Sequence, residues 1–361
     1  MMTDLAIHSD LAIPPGEFLL EVASDLGISQ ADLARRMGRP PQAINEIIKG
    51  EKIITPETAL QLEQVLAVPA HIWTGLEAEY QLVKARHQEA ETLEQEVSLL
   101  DRFPYRDMAA FRWVETTRNN SRKVQELRRF FGVASLHHLK DVKAYSPAFR
   151  QAVKSAASPE ALAAWLRAGE LEARRIDTLP YDEKKLKADL ARLRTLSTQT
   201  PKNFDPQLRE ALARCGVGFV WHPHLPKTYV NGATFWLAND KAVLMMSIRG
   251  SWADIFWFSL FHEIGHILLH DRRHTFLEDT ADDPQWKKQE HEADVFSRDT
   301  LIPPAQYERF VARCVLTTAT IRAFAEELNI APGIVVGRLQ HDKRLASHQQ
   351  HGLRVRYTWG A

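Results

Sequence analysis

"F-S-L-F-H-E-I-G-H-I-L-L-H", residues 258–270, sets two histidines four apart with a glutamate between them, in an otherwise apolar stretch. Four residues are close to one helical turn, so a helix here puts His262 and His266 on one face, about 6 Å apart along the axis. That spacing suits two imidazoles on one ion. Glu263 lies beside them, where it can accept a proton from water attacking a carbonyl. The apolar residues are the buried flank of the helix, and the polar stripe reads as two-thirds of a metal site plus a base.

A third ligand is needed. Residues 289–304, "Q-E-H-E-A-D-V-F-S-R-D-T-L-I-P-P", form an amphipathic helix closed by Pro303 and Pro304. Glu290 and Asp294 share one face of it, so Glu290 can bind the metal while Asp294 supports a ligand histidine's other nitrogen. Glu292 points elsewhere and is the lesser candidate. His270 shares a face with His266, but no glycine turn follows His266, and a straight helix carries His270 about another 6 Å away. It is expected behind the ligands or facing substrate. His222, His224 and His291 lack comparable partners and read as surface or structural. Ahead of the helix, which is expected to begin near Ser251, residues 217–248 alternate β-formers around Asn231-Gly232 and Asn239-Asp240, predicting a small antiparallel sheet.

The 361-residue chain is 45% apolar and 25% charged, ordinary for a soluble multidomain protein. It lacks an eighteen-residue apolar run, and residues 1–20 carry Asp4, Asp10 and Glu17 without a basic start, so neither a membrane span nor a signal peptide is expected. A cytoplasmic location follows. Cys215 and Cys314, the only cysteines, have no zinc-binding spacing and read as reduced structural thiols. The net charge of zero is uneven: residues 1–86 hold seven Lys/Arg against twelve Asp/Glu, and residues 102–200 hold twenty against eleven.

The N-terminal part gives three short helices in quick succession, ending at Gly27, Gly38 and Gly50, the second starting on a Ser29 cap. Ala31, Leu33, Ala34 and Met37 make one inward face and Ile44, Ile47 and Ile48 the next. Arg39, Gln42, Asn45 and Lys49 are left outside, where Gln and Asn can read adenine edges in a DNA major groove, while Arg35, Arg36 and Lys52 can take phosphates. The competing reading is a small bundle whose polar face is merely solvated. "YQLVKARHQEAETLEQEVSLL", 80–100, reads as a polar connecting helix. Helices follow at 121–132 and 158–175 without visible chemistry, their charge better read as a solvated face than as a DNA contact. Residues 320–344 echo the N-terminal pattern, and two helices packing beneath the preceding domain are preferred there to a second DNA-reading pair.

"S-Q-A-D-L-A-R-R-M-G-R-P-P-Q-A-I-N-E-I-I-K-G" resembles the Xre/Cro helix-turn-helix, and its continuation is similar to the HigA antitoxin family. "D-I-F-W-F-S-L-F-H-E-I-G-H-I-L-L-H" with "E-H-E-A-D-V-F-S-R-D-T-L-I-P" resembles the ImmA/IrrE family of zincin-like metallopeptidases, which act on helix-turn-helix repressors. The resemblance implies His262, His266 and Glu290 as zinc ligands and Glu263 as general base, and Ser297 stands where that family usually has alanine. The expected fold is mainly α and multidomain: a helix-turn-helix domain at 12–83, a helical middle at 84–200, an α+β zincin-like metallopeptidase domain with a small antiparallel sheet at 201–345, and a tail at 346–361. The expected function is a regulator bound to a double-stranded DNA operator, possessing a zinc peptidase that cuts a repressor or itself, with a homodimer as one assembly. The alternatives are a HigA-like antitoxin with a toxin partner, whose zincin-like domain binds without cutting, and a helical scaffold with a structural metal.

Overall fold

The computed structural model describes residues 11–142, 158–247, 251–270, 276–277, 284–313 and 315–358. Met1 to Asp10, with the signal-peptide expectation, and Cys314 lie outside them; Cys215 is a buried free thiol. The chain divides into two compact units, Met1–Ser98 and Leu99–Ala361.

Among the described residues the first unit has five α-helices: α1 (Pro15–Asp25), α2 (Gln30–Arg36), α3 (Pro41–Ile48), α4 (Pro56–Leu66) and α5 (Ala70–Glu96). Local chemistry sets the boundaries. Ser29 Oγ accepts the Asp32 amide at 3.2 Å to cap α2, and proline opens α1, α3 and α4 where a helix has no use for the missing N–H. Gly38, at φ 63°, makes the left-handed turn that lets α3 leave α2. Leu33, Ile44, Ile47, Leu62 and Trp73 fill one shared core. Ala31, expected inward, is exposed, since the two turns of α2 bury only Leu33, Ala34 and Met37. The connecting helix begins at Ala70, ten residues before Tyr80.

The second unit opens with α6 (Tyr105–Ala110), α7 (Asn120–Phe131), α8 (Pro159–Ala173), α9 (Glu183–Thr195) and α10 (Pro201–Arg214). Ser158 caps α8 through its side chain and Pro159 begins it, as the sequence suggests. Strands β1 (Val217–Trp221), β2 (Gly232–Ala238), β3 (Lys241–Met246) and β4 (Phe276–Leu277) form a sheet in the order β1-β3-β2-β4. The sheet is mixed, not wholly antiparallel: β1 runs parallel to β3, with Val217 opposite Ala242 and Trp221 opposite Met246. Asn239-Asp240 turns the β2–β3 hairpin, whereas Asn231-Gly232 is no hairpin turn. Pro223 and Pro226 deny ladder donors to residues 222–231, which cross as irregular chain to the far side of β3.

α11 (Ala253–Leu269) packs on β2 and β3, and α12 (Pro284–Leu301) packs on α11. α13 (Pro304–Arg313), α14 (Thr318–Leu328) and α15 (Pro332–His341) are the last α-helices among the described residues, with α15 against α11 and Ile321, Phe324, Val335 and Leu339 in the same core. The middle helices are not a separate layer, for α8 lies against β1 and β3 and α10 against β1. Residues 346–358, the described part of the expected tail, pack onto the second unit. Leu353 and Tyr357 are buried, the Trp257 indole donates to Tyr357 Oη at 3.0 Å, and the Arg354 guanidinium donates to both Asp254 oxygens at 3.0 and 2.8 Å.

Candidate metal centre

α11 carries His262, Glu263 and His266 at 1–2% exposure, on a helix buried over most of its length. α12 meets it closely enough that a Cβ on Gly265 would stand 3.2 Å from Ala293 Cα and 3.1 Å from the Phe296 ring. That crossing brings Glu290 over the two histidines. The two Nε2 atoms face each other at 2.9 Å, and Glu290 oxygens lie 3.3 Å from His262 Nε2 and 3.4 Å from His266 Nε2.

The donor set fits a metal. Ligand atoms in a tetrahedron with bonds of about 2.0–2.1 Å stand roughly 3.3 Å apart, close to these spacings. Two imidazole nitrogens and a carboxylate are the ligand types zinc takes, and Glu290 Oε1 is buried without a hydrogen-bond donor. The electrostatics set the two histidines apart. Burial opposes protonation of His262, yet its hydrogen bonds with Asp294 and Glu290 and the nearby Glu263 outweigh burial and lift the imidazole to about 10. Burial pushes His266 down to about 4, Glu290 only partly offsetting it. For Glu290, burial is overcome by contact with His262 and His266, which hold it down to about 2.

Each histidine is braced from behind. Asp294 Oδ1 lies 2.9 Å from His262 Nδ1. His270 is not carried away along a straight helix: α11 stops at Leu269, His270 adopts extended backbone, and its Nδ1 comes to 2.9 Å from His266 Nδ1. Glu292 reaches His270 Nε2 at 3.2 Å, so it does not point elsewhere but ends a chain Glu292–His270–His266. Spacing alone hid this, because the contact depends on where α11 ends. Gly232, read as a turn residue, is the other surprise. A Cβ there would lie 2.7 Å from Glu263 Cγ and Oε1, so only glycine lets β2 pass this close to the glutamate. His222 sits 3.0 Å from Glu172 and edge-on to Trp113, away from the cluster. His291 is exposed on α12.

In the first unit, Gln42, Asn45 and Lys49 are exposed on α3, with the Gln42 amide donating to Glu46 at 2.9 Å. Arg35 and Arg36 are exposed and pair with Asp32 at 3.4 and 2.8 Å, and Lys52 lies 3.9 Å from Glu46. Arg39 departs from expectation. It is half-buried, donating to Gln61 Oε1 at 2.6 Å and standing 3.6 Å from Glu57, and so ties α4 to the turn before α3.

Comparison with known proteins defines the class of each unit. Residues 25–73 match the helix-turn-helix family, and residues 254–339 match the IrrE N-terminal-like domain, a peptidase-family domain. The chain thus joins a helix-turn-helix domain of the Xre-like kind to an IrrE-like domain. Virulence-associated protein I of Dichelobacter nodosus is 36% identical over 75 residues, which are 20% of this chain and 69% of that protein. The HTH-type transcriptional regulator YddM of Escherichia coli is 28% identical over 71 residues, 20% of this chain and 76% of YddM. Among solved structures, an addiction module antidote protein of the HigA family from Coxiella burnetii is 28% identical, with 24% of this chain and 94% of that chain covered and a TM-score of 0.22. Among the described residues, no helix is long and apolar enough to cross a membrane.

Proposed function

We propose that this protein is a DNA-binding transcriptional regulator whose C-terminal domain is a zinc peptidase, hydrolysing a peptide bond in a helix-turn-helix repressor or in the protein itself. The observation that carries the reading is the convergence of His262, His266 and Glu290 around one point, with Glu263 on the adjoining turn and Gly232 keeping the space beside it narrow. Glu263 supports the hydrolytic reading, because a site that cuts needs a base beside the ion.

His262, His266 and Glu290 would hold the ion. Zinc there supplies Lewis-acid polarisation of a carbonyl and of water. Glu263 takes the proton from the attacking water and returns it to the departing amine nitrogen. Asp294 and the His270–Glu292 pair fix the ring orientations of His262 and His266. β2 is flanked by β3 and β4 in the described sheet, so an extended peptide would add as a strand at the outer side of β4. On α3, Gln42 and Asn45 face base edges, while Arg35, Arg36, Lys49 and Lys52 meet phosphates; Arg39 acts by holding α3 against α4.

The test is metal analysis followed by mass spectrometry of candidate repressors, and of the chain itself, incubated with the zinc-loaded protein. About one zinc per chain is expected, lost in His262→Ala, and Glu263→Gln is expected to keep zinc while abolishing cleavage. A native protein that takes no zinc ends this reading. Zinc binding without any cut favours the antitoxin-like alternative, in which the domain senses a ligand or partner. Replacing Gln42 and Asn45 with alanine is expected to abolish sequence-specific operator binding while sparing the salt-dependent background, and unchanged specificity would remove α3 from the groove.

A further inference from the structure

The surface built by α6, the turn after it and α7 is strongly basic: residues 106–129 hold seven Lys/Arg against three Asp/Glu. Sequence alone does not separate charges that neighbours neutralise from charges left over, and the structure does. Glu115 is taken by Arg122 at 2.9 Å, and Glu126 by Arg129 at 2.8 Å and by the Glu115 amide at 3.3 Å. Arg106, Arg112 and Arg118 are exposed and make no ion pair among the described residues. Of the three acids only Asp107 stands against them. Tyr105 Oη donates to the Glu115 carbonyl at 2.6 Å and Lys123 Nζ stands 5.8 Å from the centre of the Tyr105 ring, which ties α6 and α7 into one face. Arg122 and Arg129, both exposed and seven residues apart, are spaced about 10 Å along one side of α7.

Arg112 is a second, independent observation. It follows α6 at φ 59°, a left-handed backbone in which a side chain is strained and glycine is at ease. Folding alone gives no reason for arginine at this turn, whereas a guanidinium displayed on a cationic face does. Fixed cations without counter-ions attract a polyanion, and guanidinium suits phosphate because it gives two parallel hydrogen bonds. Resting on the reading of the first unit as DNA-binding, we propose that this face of the second unit binds the phosphate backbone of duplex DNA without regard to sequence. A duplex held by the first unit is tethered to the second through a continuous chain, so the polyanion is present at high local concentration. Such contacts add affinity and orientation but read no bases.

The test measures binding of a random-sequence DNA duplex to the full chain from about 50 to 200 mM salt, with and without Arg106→Gln, Arg112→Gly and Arg118→Gln combined. Each phosphate contact contributes about 0.9 to the slope of log affinity against log salt, so the triple variant is expected to lose about 2–3 from it and to bind at least tenfold more weakly at the lower salt. Should the triple variant unfold, Arg112→Gly alone, which relieves the strained turn, is expected to lose about 0.9 while melting no lower than the unaltered chain. A control combining Lys184→Gln, Lys202→Gln and Arg322→Gln removes three exposed charges elsewhere in the unit and is expected to leave the slope unchanged. A slope that the arginine changes do not alter, or that the control lowers as much, overturns the proposal. So does tighter binding of a single strand of the same length, or displacement of the duplex by polyglutamate as readily as by unlabelled duplex of equal charge. Selection from a randomised duplex pool separates this face from the regulator reading: a chain that enriches no sequence, yet weakens when the three arginines go, keeps the face and loses the operator. A chain that binds no duplex overturns both.

Discussion

Ser297 is fully buried on α12, and its hydroxyl donates to the Phe258 carbonyl of α11 at 2.7 Å. The alanine expected from family resemblance would pack there as well but would leave that bond unmade. Ser297→Ala should cost about 1 kcal/mol, read in the urea unfolding of the C-terminal unit; a larger loss would mean that the hydroxyl also sets the helix separation. Glu172 makes a second residue-scale case. Its contact with His222, more than the opposing burial, and then Arg209 and Arg175, hold its carboxyl below the ordinary 4.5. A depressed carboxylate contributes stability present above its unfolded value and lost as pH falls through its folded one. Glu172→Gln should therefore lower stability near neutrality, change little in strong acid and so flatten the acid limb of a stability–pH profile below about pH 4.5, and an unaltered acid limb would count against the pair. His262 and His266 were legible as a pair, and Glu290 with Asp294 as another, because helical periodicity places i and i+4 together whatever the tertiary fold; that the two pairs meet is a tertiary fact. Gly232 and Glu292 were not, since their roles arise from the approach of a strand and the end of a helix.

Two helices supply all three candidate ligands, so their separation fixes the site. Gly265 and Ala293 set it, with the would-be Cβ already at 3.1–3.2 Å from Phe296 and Ala293. Gly265→Val should wedge α11 from α12, lowering zinc affinity at least tenfold in a chelator competition and destabilising the unit, as overpacking does. A protein that binds zinc as before would show that the crossing is not what holds Glu290 in place. At this scale the sequence was informative about helices and less so about sheet order. The caps Ser29 and Ser158 and the proline starts mark their helices locally. The parallel pairing of β1 with β3 has no local signature: it follows from where residues 222–231 cross, which distant packing decides.

Each unit has its own buried core, one around Leu33, Ile44 and Trp73, the other around Phe204, Trp257 and Leu339. Deleting residues 346–361 should impair the second unit alone. It removes Arg354 from the buried Asp254, which loses its bidentate partner, and takes away Tyr357 and Leu353. Calorimetry should then show the transition of the helix-turn-helix unit unchanged and that of the IrrE-like unit lowered or absent; a full-strength second transition would refute the structural role given to this segment. The composition hinted at two or more domains, but not that the basic middle and the last residues belong to one of them.

The placement of the ligands has one more consequence. His266 and Glu290 lie on separate helices, with a stretch of chain between them that a shared ion would close into a loop. Because the site exists only in the folded chain, such a clasp would stabilise the fold by mass action, in step with the free metal, where a covalent cross-link would persist on unfolding. In a protein with two cysteines, one of them a buried free thiol, zinc would be the removable staple, fastened or released by the metal supply of its surroundings.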